Sequence, residues 1–75
     1  MELEKIREIT AGITLRDISE IHENTRFVKD LGMDSLDVYQ LTVEIEEYFG
    51  IDIPESALEK LKTVNDLAQL LITRH

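Results

Sequence analysis

One sharply delimited helix near the middle of the chain constrains the fold most. Asp34 suits the N-cap position, and Asp37 lies at the third helical position, which makes a variant of the capping box. Gly50 suits the C-terminal end, because glycine readily adopts the left-handed backbone that often ends a helix. These signals predict a helix over residues 35–49.

A second helix is expected at the start of the chain. Apolar residues recur there at three-residue spacing, at Leu3, Ile6 and Ile9. This spacing predicts an amphipathic helix over residues 2–11, with Gly12 as its end.

Residues 13–33 are less regular but rich in apolar side chains. The apolar positions are Leu15, Ile18, Ile21, Phe27, Val28 and Leu31. Thr14 and Asp17 are placed to cap a short turn. We expect this long loop to be held against the core, and loops of this length are often functional.

The last third of the chain predicts two further helices. Pro54 biases its predecessor away from helix and precedes a short helix over residues 55–61. Thr63 and Asp66 form another capping box, before a last helix over residues 64–73. No segment is long enough to propose a strand. The sequence therefore predicts one all-α domain over residues 1–75, with three main helices and one short helix.

The helix over residues 35–49 carries two apolar stripes on nearly opposite sides. The core stripe consists of Val38, Leu41, Ile45, Tyr48 and Phe49, and the second stripe of Leu36, Tyr39 and Val43. Gln40, Glu46 and Glu47 lie on or beside the second stripe, with Asp37 and Glu44 at its outer margin. We interpret the second stripe as an exposed partner site. Alternatively, the loop or the short helix covers Tyr39 and Val43.

The net charge of the chain limits the classes of partner that it is expected to bind. Sixteen acidic against eight basic residues give a formal net charge of −8. This excess argues against nucleic acid and anionic membrane surfaces, and it favours basic protein partners. Its alternative role is solubility. The absence of cysteine, of a secretory signal and of a membrane-spanning run predicts a cytoplasmic protein.

Ser35 begins the central helix. Serine at a helix start usually acts as a cap. However, Asp34 already fills the capping position, which leaves the Ser35 hydroxyl free to point outward. A phosphate ester on that oxygen would lie by the helix N-terminus, where backbone N–H groups favour an anion.

The run from Asp30 to Asp37, DLGMDSLD, closely resembles the attachment motif of acyl carrier proteins. Further positions that match the family are Phe27, Leu41, Ile45, Glu46, Glu47, Phe49, Ile53-Pro54 and Thr63-Val64. The similarity covers nearly the whole chain, although the first 20 residues match only in helical pattern.

The resemblance implies a four-helix bundle in which a transferase attaches 4′-phosphopantetheine to Ser35, flanked by Asp34 and Leu36. The thiol of that arm would hold acyl groups as thioesters for partner enzymes of fatty acid, polyketide or related biosynthesis. The chain itself would be a non-catalytic carrier. Docking on basic patches of the synthases and the transferase would use Leu36, Asp37, Tyr39, Gln40, Val43, Glu46 and Glu47. Candidates for a pocket around the acyl chain are Val28, Ile45, Ile53, Leu58, Leu61 and Leu67. Alternatively, these same residues are ordinary members of the core.

Three positions depart from the common pattern of that family. Gln40 replaces a usual acidic residue, Tyr39 is bulkier than the usual aliphatic residue, and Gly50 stands where an acidic residue is frequent. These differences weaken one acidic contact and point to a carrier for a specialised pathway, but the rest of the motif does not distinguish such a carrier from one of bulk fatty acid synthesis. Met1 at the start and the absence of a linker suggest a free-standing carrier and not a module cut from a megasynthase. Separately, we expect the chain to be a monomer.

Other functions remain open as alternatives. The chain could be an unmodified acidic subunit of a larger assembly. His22 in the loop and His75 at the end lack the context of a catalytic triad, and we interpret His22 as a solvated loop residue. The acidic clusters lack the alternating ligands of an EF-hand loop, so no defined metal site is predicted.

Overall fold

The computed structural model describes residues 2–74, and their fold is all-helical. The helices are α1 (Glu2–Thr14), α2 (Ser35–Phe49), α3 (Glu55–Leu58) and α4 (Val64–Arg74), with a short 3₁₀ helix at Ile18–Glu20. Helix α1 contacts both α2 and α4. The predicted all-α bundle of three main helices and one short helix is confirmed. Within the described residues, none of the helices combines the length and the apolar character that a membrane span needs.

Helix α2 has the predicted bounds because both of its ends are set locally. The Asp34 carboxylate accepts a hydrogen bond from the N–H of Asp37 at 2.9 Å, and the Asp37 carboxylate accepts one from the N–H of Asp34 at 3.3 Å. At the other end, Gly50 adopts a left-handed backbone with φ of 66°, and its N–H donates to the carbonyl of Glu46.

The prediction that α1 ends at Gly12 is wrong. The helix continues to Thr14 and ends before Leu15, whose φ of 59° lies in the left-handed region. A glycine inside a helix costs only about 1 kcal/mol relative to alanine. The further turn brings Ile13 against the core, and this burial offsets the cost.

The other helix ends differ slightly from their predictions. Helix α3 stops at Leu58, not at residue 61, because the chain tightens into a turn in which the N–H of Leu61 donates to the carbonyl of Leu58. Helix α4 extends one residue further, to Arg74. Its predicted capping box is present, since Thr63 and Asp66 exchange hydrogen bonds of 3.1 and 3.0 Å.

The core lies between the three long helices and includes side chains of the loop before α2. Its buried apolar residues are Ile6, Ile21, Phe27, Leu31, Met33, Leu41, Ile45, Ile53, Leu61, Val64, Leu67, Ala68 and Leu71. The loop is therefore held against the core, as expected. Two of its apolar residues are nevertheless exposed, Leu15 at 91% and Val28 at 60%.

Two further predictions on these elements need correction. Tyr48 is 59% exposed and not part of the core stripe, because its ring lies against Phe49 with the ammonium of Lys5 above it, 4.5 Å from the ring centre. Asp17 caps the 3₁₀ helix through the N–H of Ser19, but the Thr14 hydroxyl instead donates to a carbonyl within α1. His75 lies outside the described residues.

Candidate functional site

Ser35 is the first residue of α2, and its side chain is exposed. Because Asp34 and Asp37 cap each other, the helix does not need the serine as a cap. Within the described residues, the hydroxyl of Ser35 forms no hydrogen bond, and the N–H groups of Ser35 and Leu36 meet no acceptor. The site thus combines a free hydroxyl with unpaired helix N–H groups, which favour an anion.

The turn before α2 fixes where the helix begins. The N–H of Met33 donates to the carbonyl of Phe27 at 3.1 Å, and both side chains are buried. The N–H of Phe27 in turn donates to the carbonyl of Lys62 at 2.9 Å, which ties the turn to the chain ahead of α4. Gly32 supplies the left-handed backbone, with φ of 66°, that the turn requires. Ser35 is therefore presented from a well-anchored turn.

A groove of about 490 Å³ opens beside Ser35, between the start of α2 and the region of α3. Its lining consists of Val28, Met33, Asp34, Ser35, Val38, Tyr39, Leu58, Glu59, Leu61 and Lys62. Five of these ten side chains are aliphatic and Tyr39 is aromatic, which suits an apolar occupant.

The residues predicted for an acyl pocket divide into two groups. Val28, Leu58 and Leu61 line the groove beside Ser35. The other three, Ile45, Ile53 and Leu67, are buried in the core and do not line it.

Sequence reasoning missed other groove residues. Met33 and Val38 flank Ser35 in the chain, so their proximity was a signal available in the sequence. Glu59 and Lys62 reach the groove only through the path of the chain after α3, which the sequence does not reveal.

The second apolar stripe of α2 is mostly uncovered. Leu36 is 76% exposed and Tyr39 is 62% exposed, whereas Val43 is half-buried. Neither the loop nor α3 covers Tyr39 fully, although its side chain borders the groove. Gln40 is exposed beside the stripe, and its amide donates to the carboxylate of Glu44 at 3.2 Å. An exposed apolar strip therefore runs along α2 from its first turn.

The acidic residues of α2 differ in their surroundings. The helix carries Asp37, Glu44, Glu46 and Glu47 and no basic residue. Glu47 is exposed. Glu46 is half-buried, and its carboxylate accepts a hydrogen bond from the N–H of Ile53 at 2.7 Å. Glu46 thus has a structural contact that the sequence did not predict, while Glu47 contributes charge to the surface.

In the described part of the chain, no three His, Cys, Asp or Glu side chains are grouped to hold an ion. His22 is exposed in the loop, which agrees with its interpretation as a solvated residue.

Comparison with known proteins agrees with this geometry. A family model described as "Phosphopantetheine attachment site" matches residues 4–71. The acyl carrier protein of Onion yellows phytoplasma (strain OY-M) is 43% identical over 67 residues, which cover 89% of this chain and 88% of that protein. The acyl carrier protein of Wolinella succinogenes is 40% identical over 91% of this chain and 90% of its own. That of Rubrobacter xylanophilus is 41% identical over 93% and 86%, respectively.

Proposed function

Because the chain belongs to the acyl carrier protein family, we propose that its 4′-phosphopantetheine prosthetic group is attached to the hydroxyl of Ser35. When attached, this group supplies the terminal thiol on which acyl groups are carried. The observation that carries the proposal is the exposed hydroxyl of Ser35, which forms no hydrogen bond within the described residues, at the start of α2.

The residues around Ser35 fit a phosphate ester on that oxygen. The unpaired N–H groups of Ser35 and Leu36 would stabilise the negative charge. Asp34 and Asp37 oppose it by like-charge repulsion, but their carboxylates already accept hydrogen bonds from each other's N–H groups. The role of Asp34 is therefore to hold the first turn, so that the serine oxygen stays available to a transferase.

We infer that partner enzymes dock along the exposed strip of α2. Leu36, Tyr39 and Val43 would supply the apolar contact, with Gln40 at its edge. Asp37 and Glu47 would face basic patches on a phosphopantetheinyl transferase and on acyl synthases or ligases. Glu46 would contribute its charge from beside the strip while bonded to Ile53.

We propose that the groove beside Ser35 binds the part of the carried acyl group that lies nearest to Ser35. Its aliphatic side chains Val28, Leu58 and Leu61 would exclude water from an acyl chain. Ile45, Ile53 and Leu67 lie deeper in the core and would line an extension of the groove if a longer chain entered.

We propose that the chain works as a monomeric, non-catalytic carrier over residues 1–75, in the cytoplasm. Tyr39 and Gln40 replace residues usual in the family, which favours specialised metabolism over bulk fatty acid synthesis. The alternative is an unmodified acidic subunit of a larger assembly.

Intact mass measurement separates these two functions. The protein is incubated with coenzyme A and a broad-specificity phosphopantetheinyl transferase. Wild type and the control Ser56→Ala should each gain the mass of one phosphopantetheine, and Ser35→Ala should gain none. No gain by wild type would favour the unmodified subunit.

A further inference from the structure

The carboxylate of Asp30 gathers three hydrogen bonds from one residue, Arg26. Its Oδ2 accepts from the backbone N–H of Arg26 at 2.8 Å and from the guanidinium Nε at 3.2 Å, and its Oδ1 accepts from Nη2 at 3.0 Å. In the opposite direction, the carbonyl of Arg26 accepts from the N–H of Asp30 at 3.0 Å. The two residues therefore close the turn through both backbone and side chains.

This closed turn is anchored firmly at one end. Arg26 pairs with Thr63 in an isolated β-bridge, and the N–H of the buried Phe27 donates to the carbonyl of Lys62. The Asp30 carboxylate lies at the far side of the turn and connects it back to that anchor. Four residues later the chain reaches Asp34, the cap of α2.

The Asp30–Arg26 pair contributes little to global stability. Both residues are exposed at the surface, and exposed ion pairs typically stabilise a fold only weakly. Its hydrogen bonds instead hold the backbone of residues 30–34 in one conformation. That conformation sets the orientation of the first turn of α2. A displacement there would carry the Ser35 hydroxyl with it.

We propose that Asp30 is a positioning residue, which with Arg26 holds the turn that aims the Ser35 hydroxyl at an incoming phosphopantetheine donor. This inference rests on the proposed function of Ser35. It adds that the acidic residue at the start of the DLGMDSLD run acts through the backbone and not by contact with the transferase. Small displacements of a reacting group lower turnover strongly, so the pair should affect kcat more than KM.

The test measures the rate of mass gain with coenzyme A and a broad-specificity transferase, over a range of carrier concentrations. Asp30→Asn and Arg26→Gln should each lower kcat by about tenfold, with KM within about twofold of wild type. The double variant should lose no more than the more impaired single variant, because both substitutions remove the same guanidinium–carboxylate contact. Asp17→Asn, which alters another exposed capping carboxylate, should match wild type.

Hydrogen exchange at the Gly32 and Met33 amides provides the structural readout. It should speed up in both single variants, while exchange at core amides of α4 stays unchanged. Unchanged kcat, a rise in KM alone, or losses that add in the double variant would overturn the inference. Failure of wild type to gain mass would instead overturn the proposed function.

Discussion

The carboxylate of Glu46 in α2 accepts a hydrogen bond of 2.7 Å from the backbone N–H of Ile53, seven residues further along the chain. Ile53 is buried, so without this acceptor its N–H would be left unpaired away from water. Glu46 therefore fastens the α2–α3 connection onto α2. Its neighbour Glu47 is exposed and forms no comparable bond within the described residues.

Replacement of Glu46 should therefore destabilise the fold, whereas replacement of Glu47 should not. Glu46→Ala should lower the free energy of unfolding by about 1–3 kcal/mol, since it leaves the Ile53 N–H without its acceptor. Glu47→Ala removes the same charge and should change it by less than about 0.5 kcal/mol. Urea denaturation of both variants at the same pH measures these two changes in the free energy of unfolding. Equal effects would show that the Glu46 bond contributes nothing to stability.

Leu15 offers a stabilising substitution. Its left-handed backbone disfavours a residue with a β-carbon, and its side chain is 91% exposed, so little packing would be lost. Leu15→Gly should raise the free energy of unfolding by about 0.5–1 kcal/mol. This gain is the backbone strain that glycine relieves in the folded state, minus the cost of the conformational entropy that glycine adds to the unfolded chain. Leu15→Ala retains the strain and should bring no gain. A glycine variant less stable than the alanine variant would contradict this.

The Asp30–Arg26 pair should respond to acid. Hydrogen bonds from the Arg26 side chain, followed by that from its backbone N–H, hold the pKa of Asp30 below its ordinary value of 3.8. Because the pKa is depressed in the folded state, the small stabilisation that the pair contributes is fully present at pH values above that ordinary value. This stabilisation is lost as the pH falls through the folded-state pKa.

An NMR titration of the Asp30 carboxyl carbon measures this directly. Its midpoint should lie below 3.8 in wild type and move upward in Arg26→Gln. A midpoint at or above the ordinary value in wild type would contradict the role given to Arg26.

Mutual repulsion of the acidic residues should make stability depend on cations. With a formal net charge of −8, the compact state is opposed by like-charge repulsion. Millimolar Mg²⁺ at low ionic strength should raise the Tm, and sodium chloride should do the same at higher concentration. The double variant Glu44→Gln/Glu47→Gln should start from a higher Tm and gain less. An unchanged melting curve on addition of Mg²⁺ would refute this account.

The bounds of α2 could be predicted because the signals act over three or four residues. Asp34 and Asp37 exchange hydrogen bonds within one turn, and Gly50 ends the helix through its own backbone. The end of α1 could not be predicted in this way. Gly12 is a local signal for a helix end, but the contact of Ile13 with the core outweighs it. Helix boundaries that depend on tertiary packing are not readable from neighbouring residues.

The candidate site also combines features that the sequence predicts with features that it does not predict. The local capping pattern predicts that the Ser35 hydroxyl is free, but its role as attachment residue comes from the resemblance to the acyl carrier motif. Helical geometry places Leu36 and Tyr39 on one stripe, and only the structure shows that this stripe is exposed. The exposure of Tyr48 depends on how α1 brings Lys5 over its ring, and the bond between Glu46 and Ile53 depends on the path of a loop. Neither contact has a sequence pattern that would predict it.

Tandem mass spectrometry of wild type, treated with coenzyme A and a transferase, tests the central claim most directly. Fragmentation should locate the entire added mass of phosphopantetheine on Ser35, and the peptides with Ser19 and Ser56 should keep their unmodified masses. An added mass on any residue other than Ser35, or its absence from every peptide, would contradict the assignment of the attachment site.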